Sequence, residues 1–508
     1  MDFKRQPYLL IIVIVVEYYF GIGMNDVVYI KSSTSASCHN TESCLTLSQF
    51  ATNNSWLGQN TTVLLSASNH TLDLKINISN ATNFSMLSRG ARESKVFVTC
   101  HHNASLNLAD VDQVWIRRLW FVGCGSNLFV SVKQLKVEDC TFQGQGDSGT
   151  ALHIVNSNAI IQKTHFVSNT VGTCLFWLHK STHVYGGGAV VLYLTNVTFL
   201  NCKFERNRAE VGGAIQANSA SITVINSEFV QNHVTTLKRT MQCPGPEIED
   251  KQCRGGAITM IYSLLVINNS KFCNNTNEYG NGGVMSITES DAITINSEFW
   301  SSNALLGLGG VLNAYLANVT VDNCTFYNSS SHQGGVMAVR QSYLTIRVSS
   351  FGNNQAKQIG RESSTIAEGG VIVGLHSHIT LKGSKFRYNR AKLGAVLVTH
   401  RSVVTLEDCD LSENVGRAGG AMDIVQSNVI FRGSCYLTKN VASTGAALHV
   451  TGGSTLDVYN KLTVASNMAK SIGGGLFLYQ GRLDCHYNCT LTFLQNKARK
   501  CGEGIHAV

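Results

Sequence analysis

From Gly187 onward the chain is one short unit written again and again, and this constrains the fold more than any other feature. The copy at residues 212–232 reads GGAIQANSASITVINSEFVQN. It opens on Gly-Gly-Ala-aliphatic, passes a polar turn, alternates apolar with polar residues, and closes on Phe-x-x-Asn. A first opening stands at Gly149. Others follow at Gly187, Gly212, Gly255, Gly282, Gly309, Gly334, Gly369, Gly394, Gly419, Gly445 and Gly473. From Gly187 onward the intervals are 25 to 28 residues except two, of 43 and 35, which place insertions at 233–254 and 355–368. A fixed period of this length makes the chain a stack of like units, whatever number of domains 508 residues could otherwise hold.

Period-two alternation bounded by Asn, Ser and Gly marks strands. One unit is long enough for three short strands and three turns, which is one coil of a parallel β-helix. The expected fold class is therefore all-β, a parallel β-helix solenoid with three parallel sheets. Ile222, Val224 and Phe229 and their equivalents form the expected core. The closing asparagines (Asn207, Asn232, Asn389, Asn414, Asn440, Asn467, Asn496) are expected to ladder side chain to side chain inside it. Phe299 with Asn303 is one residue out of step, and Phe326 lacks the Asn. Small residues at Ala220, Ser263, Ser290, Ala317, Ser342, Ser377 and Ser427 mark a tight corner. Cys140, Cys202, Cys324 and Cys409 share another position and are expected as buried free thiols. The regular coils run over 140–508, preceded by irregular coils at 61–139 and a cap segment at 24–60. A further coil begins at Gly502, so this end is expected to continue or to be covered by a partner.

The Gly-Gly-Ala-aliphatic and Phe-x-x-Asn motifs at this spacing resemble the repeats of chlamydial polymorphic outer-membrane proteins. More broadly they resemble right-handed parallel β-helices of the pectin-lyase type, over residues 140–508. The resemblance implies the right hand of the coil. No membrane β-barrel sequence follows the repeats, and the sequons described next suit a eukaryotic surface protein.

Lys4 and Arg5, the apolar run Leu9–Val16 and the small residues Gly21 and Gly23 read as a signal peptide over residues 1–23. Membrane association is expected only through that segment, if uncleaved, or through sequence missing at the C-terminus. Asn-x-Ser/Thr sequons stand at Asn53, Asn60, Asn69, Asn77, Asn80, Asn83 and Asn103. Others stand at Asn196, Asn268, Asn274, Asn318, Asn323, Asn328 and Asn488, and all are expected as glycosylation sites of an extracellular chain. The 16 cysteines suit the same compartment. Disulfide loops are expected at Cys38–Cys44 and Cys243–Cys253, and a disulfide-bearing turn at Cys485–Cys489. A net charge of +8, spread without any Lys/Arg block, argues against nucleic-acid binding.

Chemistry is faint in the sequence. Cleaving a glycosidic bond takes two convergent carboxylates, and in a β-helix these belong on neighbouring coils at like offsets. The best cluster is Glu407, Asp408, Asp410, Glu413 and Asp423, but the equivalent positions on neighbouring coils, such as Gly383 and Leu397, are not acidic. His376 and His400 share an offset counted from the glycines, flanked by Gln341 and Gln426, and are the candidate metal or carbohydrate contacts. His153, His449 and His506 recur on scattered coils and read as structural. No cofactor motif is present. The expected function is a non-catalytic extracellular rod that recognises a protein or glycan. The alternative is a carbohydrate-active enzyme with its site near residues 376–423.

Overall fold

The computed structural model describes residues 26–31, 44–52, 59–89, 95–145, 150–171, 186–235, 254–358 and 366–508. Three long parallel sheets run its length as a right-handed parallel β-helix. The coil at 312–331 shows the plan. Leu312–Tyr315 lies in the sheet here named C, Asn318–Asp322 in sheet A and Thr325–Tyr327 in sheet B, with Ser330–Ser331 in a short fourth sheet. Each strand pairs in register with the next coil: Leu312 with Met337, Asn318 with Tyr343, Thr325 with Ser350, Ser330 with Gln355. The right hand is the one that strand twist favours for parallel crossovers.

Corners repeat one device. A non-glycine residue adopts the left-handed conformation, and the next side chain turns inward. In this coil the first residues are Leu316, Asn323 and Asn328 (φ 51°, 49° and 56°), followed by the buried Ala317, Cys324 and Ser329. Such a conformation costs on the order of 1 kcal/mol per non-glycine residue. Hydrogen bonds between coils offset it. Along the C-to-A corner the N–H groups of Ser342, Ser377 and Ser402 donate to the Oγ of Ser377, Ser402 and Ser427 at 3.0–3.2 Å. The small-residue column read from the sequence is this corner.

Inside, the phenylalanines from Phe121 to Phe386 stack with centroids 4.4–5.3 Å apart. Beside them the asparagine ladder forms as expected: Asn207 Nδ2 donates to Asn232 Oδ1 at 2.9 Å, and Asn389 Nδ2 to Asn414 Oδ1 at 3.0 Å. In the two coils whose closing was out of step, the ladder position is filled by the buried Ser302 and Ser329. Asn303 is therefore not the displaced ladder residue; it lies in the short fourth sheet.

The described residues before 61 join the solenoid. Asp26–Ile30 pairs with Asn60–Leu65 in sheet A, and the short helix Leu47–Thr52 buries Leu47 and Phe50 in the core. Among the described residues no helix is long and apolar enough to cross a membrane. The signal-peptide segment, Asn53, Cys38, Cys243 and Cys253 lie outside the described residues. Disulfides join Cys485 to Cys489 and Cys100 to Cys124; the second pair, on adjacent coils, was not foreseen in the sequence.

Cys140, Cys202, Cys324 and Cys409 are buried free thiols. Burial pushes Cys140, Cys202 and Cys409 up to about 12. Since the thiolate is the reactive form, these cysteines are expected to resist alkylation at pH 8 in the folded protein and to react fully once it is denatured. Peptide mass spectrometry reads this directly.

Candidate functional site

The glycine pair that opens each unit bends the chain back over the outer face of sheet C. Gly369 sits at φ +60°, and a Cβ there would come within 2.5 Å of Val373 Cγ2. The residues just before these glycines form a ledge beside the sheet, pairing Leu308 with Gln333, Gln333 with Glu368, and Glu368 with Leu393. Beside the ledge lies a groove of roughly 60 Å³ lined by Asn281, Asn313, Tyr315, Gln333 and Arg340.

Next along the ledge from this groove, but not among the residues that line it, ionisable groups from successive coils gather. Glu368 comes from the ledge, with Oε2 accepting from Gln333 Nε2 at 3.2 Å. His400 ends the strand Leu397–His400 on the next coil, its Nε2 4.0 Å from Glu368 Oε2. Asp423, on the coil after that, has only 4% of its side chain exposed and lies 2.6 Å from His449 Nδ1 through Oδ1. His449 in turn stacks on Phe477 at 5.1 Å. Burial first, and then the Asp423 charge, raise the Glu368 carboxyl above the usual carboxylate range. Burial lowers His400 below the ordinary imidazole value, against the opposing pull of Asp423. A carboxyl biased toward its protonated form and an imidazole biased toward its neutral form thus stand side by side, near the buried Asp423. Perturbed groups gathered in this way mark a candidate functional site.

The sequence candidates divide. Asp423 and His400 belong to this group. Glu407, Asp408 and Asp410 do not, because corner turns carry them onto other faces. Glu407 pairs with Lys382 at 2.8 Å, Asp408 Oδ1 accepts from the Ser434 N–H at 2.8 Å, and Asp410 holds Arg387. These are ties between coils.

His376 and His400 do not share a column. Gly394, at φ +47°, is the first glycine of its unit, and Ala395 takes the second place, so counting from Gly394 as the second slips the register by one. His376 sits at the C-to-A corner, at φ 51°, while His400 pairs with Leu375 inside sheet C. Among the described residues no group of three or more His, Cys, Asp and Glu side chains is placed to hold a metal ion.

Glu368 and His449 were missed. Glu368 looked like the end of an insertion, and His449 looked structural. Aligning the residue before each first glycine would have exposed the Gln333–Glu368 ledge.

No family model matches the chain, and no curated protein matches it. Among solved structures it is similar to the periplasmic alginate epimerase AlgG (8% identity, 78% of this chain and 77% of that one, TM-score 0.28). It is also similar to PfbA, a surface adhesin of Streptococcus pneumoniae (11% identity, 87% and 84%, TM-score 0.23). A third is a mannuronic acid specific polysaccharide family 6 lyase from human gut microbiota (9% identity, 76% and 84%, TM-score 0.20). Scores this low carry no argument. The β-helix is established by this chain's own strand pairing, and the resemblance of its repeats to the outer-membrane family stays a resemblance.

Proposed function

We propose that the protein is an extracellular enzyme that cleaves a polysaccharide lying along the sheet C groove. The coupling of Glu368, His400 and Asp423 carries this reading. Glu368, protonated, donates its proton to the glycosidic oxygen as the bond to the anomeric carbon breaks. Asp423, held by His449, accepts a proton from the attacking water, whose oxygen bonds to that carbon. His400 stands between them and positions the sugar. The two carboxylates arise two coils apart, roughly 10 Å along the axis at the usual strand spacing. That is near the upper end of the range that leaves room for a water, and too wide for a covalent intermediate. The product is therefore expected with inverted configuration.

The sequons support an open groove. From residue 150 onward, Asn196, Asn268 and Asn318 lie on sheet A, Asn323 at the A-to-B corner, Asn274 and Asn328 just after sheet B, and Asn488 in the loop from sheet A to sheet B. None of these seven lies on sheet C or the ledge; the one described sequon residue on sheet C is Asn77, in the strand Ile76–Ser79 of the first coils, many coils from Glu368. Glycans at these sites would leave the groove bare.

Reducing-end release from a mixed panel of neutral and acidic polysaccharides tests the proposal, with the first-formed anomer read by NMR. Release with inversion is expected. No release from folded protein would leave a non-catalytic recognition rod. The pH dependence has a definite sign. Glu368 must be protonated, so on the alkaline side activity falls as pH rises through its raised pKa. In D423N the charge that raises Glu368 is gone, so the residual activity is expected to fall off at a lower pH.

A further inference from the structure

The outer face of sheet B carries an aromatic pair that the groove chemistry does not use. Trp300 and Tyr327 occupy equivalent positions on adjacent coils, with ring centroids 5.2 Å apart and planes at 49°. They remain 39% and 37% exposed. The next residue in that column is Gly352, where a Cβ would lie 3.1 Å from Tyr327 Cδ2; the tyrosine ring therefore lies flat over a bare backbone. Asn353 Nδ2 contacts the Tyr327 hydroxyl and pins the ring.

Asn328, the first residue of the sequon Asn328-Ser329-Ser330, follows Tyr327 directly. It is exposed, at φ 56°. Its Nδ2 donates to Ser301 Oγ at 3.0 Å, which aims it back toward the preceding coil and the residue beside Trp300. An amide nitrogen has two hydrogens. Linkage to a sugar takes one, and the other can keep the bond to Ser301. The first sugar would then leave Asn328 over the Trp300–Tyr327 face.

We propose that Asn328 carries an N-linked glycan whose first sugar packs its C–H face on Trp300 and Tyr327, so that the chain covers its own aromatic patch. Apolar ring faces gain by leaving water, and an aromatic ring offers a large rigid one. The inference rests on the chain entering the secretory pathway and is independent of the catalytic reading.

The test uses the full chain secreted from eukaryotic cells. Peptide mass spectrometry reads the occupancy of Asn328 and the rate of Trp300 oxidation by N-bromosuccinimide. Three forms are compared: intact, trimmed to one N-acetylglucosamine, and fully deglycosylated. Trp300 is expected to react several-fold more slowly in the first two than in the third, with N328Q behaving as the third and Trp115 and Trp120 unchanged throughout. Equal rates in all forms with Asn328 occupied would overturn the packing. An empty Asn328 beside occupied neighbours would overturn the site, and empty sequons throughout would overturn the secretory reading beneath it.

Discussion

E368Q is expected to lower the rate of reducing-end release by about 10²–10⁴-fold, the usual worth of a positioned general acid. The amide fills the same space and can keep the contact with Gln333, but has no proton to give. Stability should move the other way. A carboxyl whose folded pKa is raised contributes fully below its unfolded value, 4.5, and that contribution is lost as pH rises through the folded pKa. Above pH 4.5 the native state therefore bears a cost that the unfolded chain does not, of keeping either the proton or a charge that burial opposes, and glutamine removes it. Inactive protein at least as stable as the wild type at pH 7, and without that advantage below pH 4.5, is the signature of a site kept at a cost in stability. Thermal melts across that range check it.

N389L is expected to destabilise the fold by on the order of 5 kcal/mol, because leucine keeps the heavy-atom count of the asparagine side chain but is bulkier and has no polar atom. Asn389 Oδ1 accepts from both the N–H and Nδ2 of Asn354 at 3.0 and 3.1 Å; its Nδ2 donates to the Phe351 carbonyl at 3.1 Å and to Asn414. All of these groups are buried, and each one orphaned costs about 1–3 kcal/mol. N389S should cost less, since Ser302 and Ser329 already occupy the ladder in two other coils. Denaturant melts of the two variants against the wild type measure the difference. A small, equal loss in both would mean the ladder contributes packing alone.

The difference between fold and site lies in periodicity. Ladder asparagines, stacked phenylalanines and the serine corner each recur at one offset on many coils, so errors such as Asn303 in place of Ser302 hardly disturb the whole. Glu368, His400 and Asp423 each occur once and come from different offsets. Their meeting depends on the ledge folding over sheet C, and a one-residue slip at Gly394 hides it. The local sequence cluster Glu407–Asp410 misled for the same reason. Consecutive residues around a corner face different directions, whereas residues some 25 positions apart stand side by side, as Val398 and Asp423 do across adjacent strands of sheet C, with His400 diagonal to Asp423.

The most direct measurement compares reducing-end release by wild type, E368Q, D423N and D410N on one polysaccharide, with folding checked by circular dichroism. The groove account predicts release by wild type and D410N alike, and its loss in both E368Q and D423N. Release unchanged in E368Q and D423N, or lost equally in D410N, would contradict it.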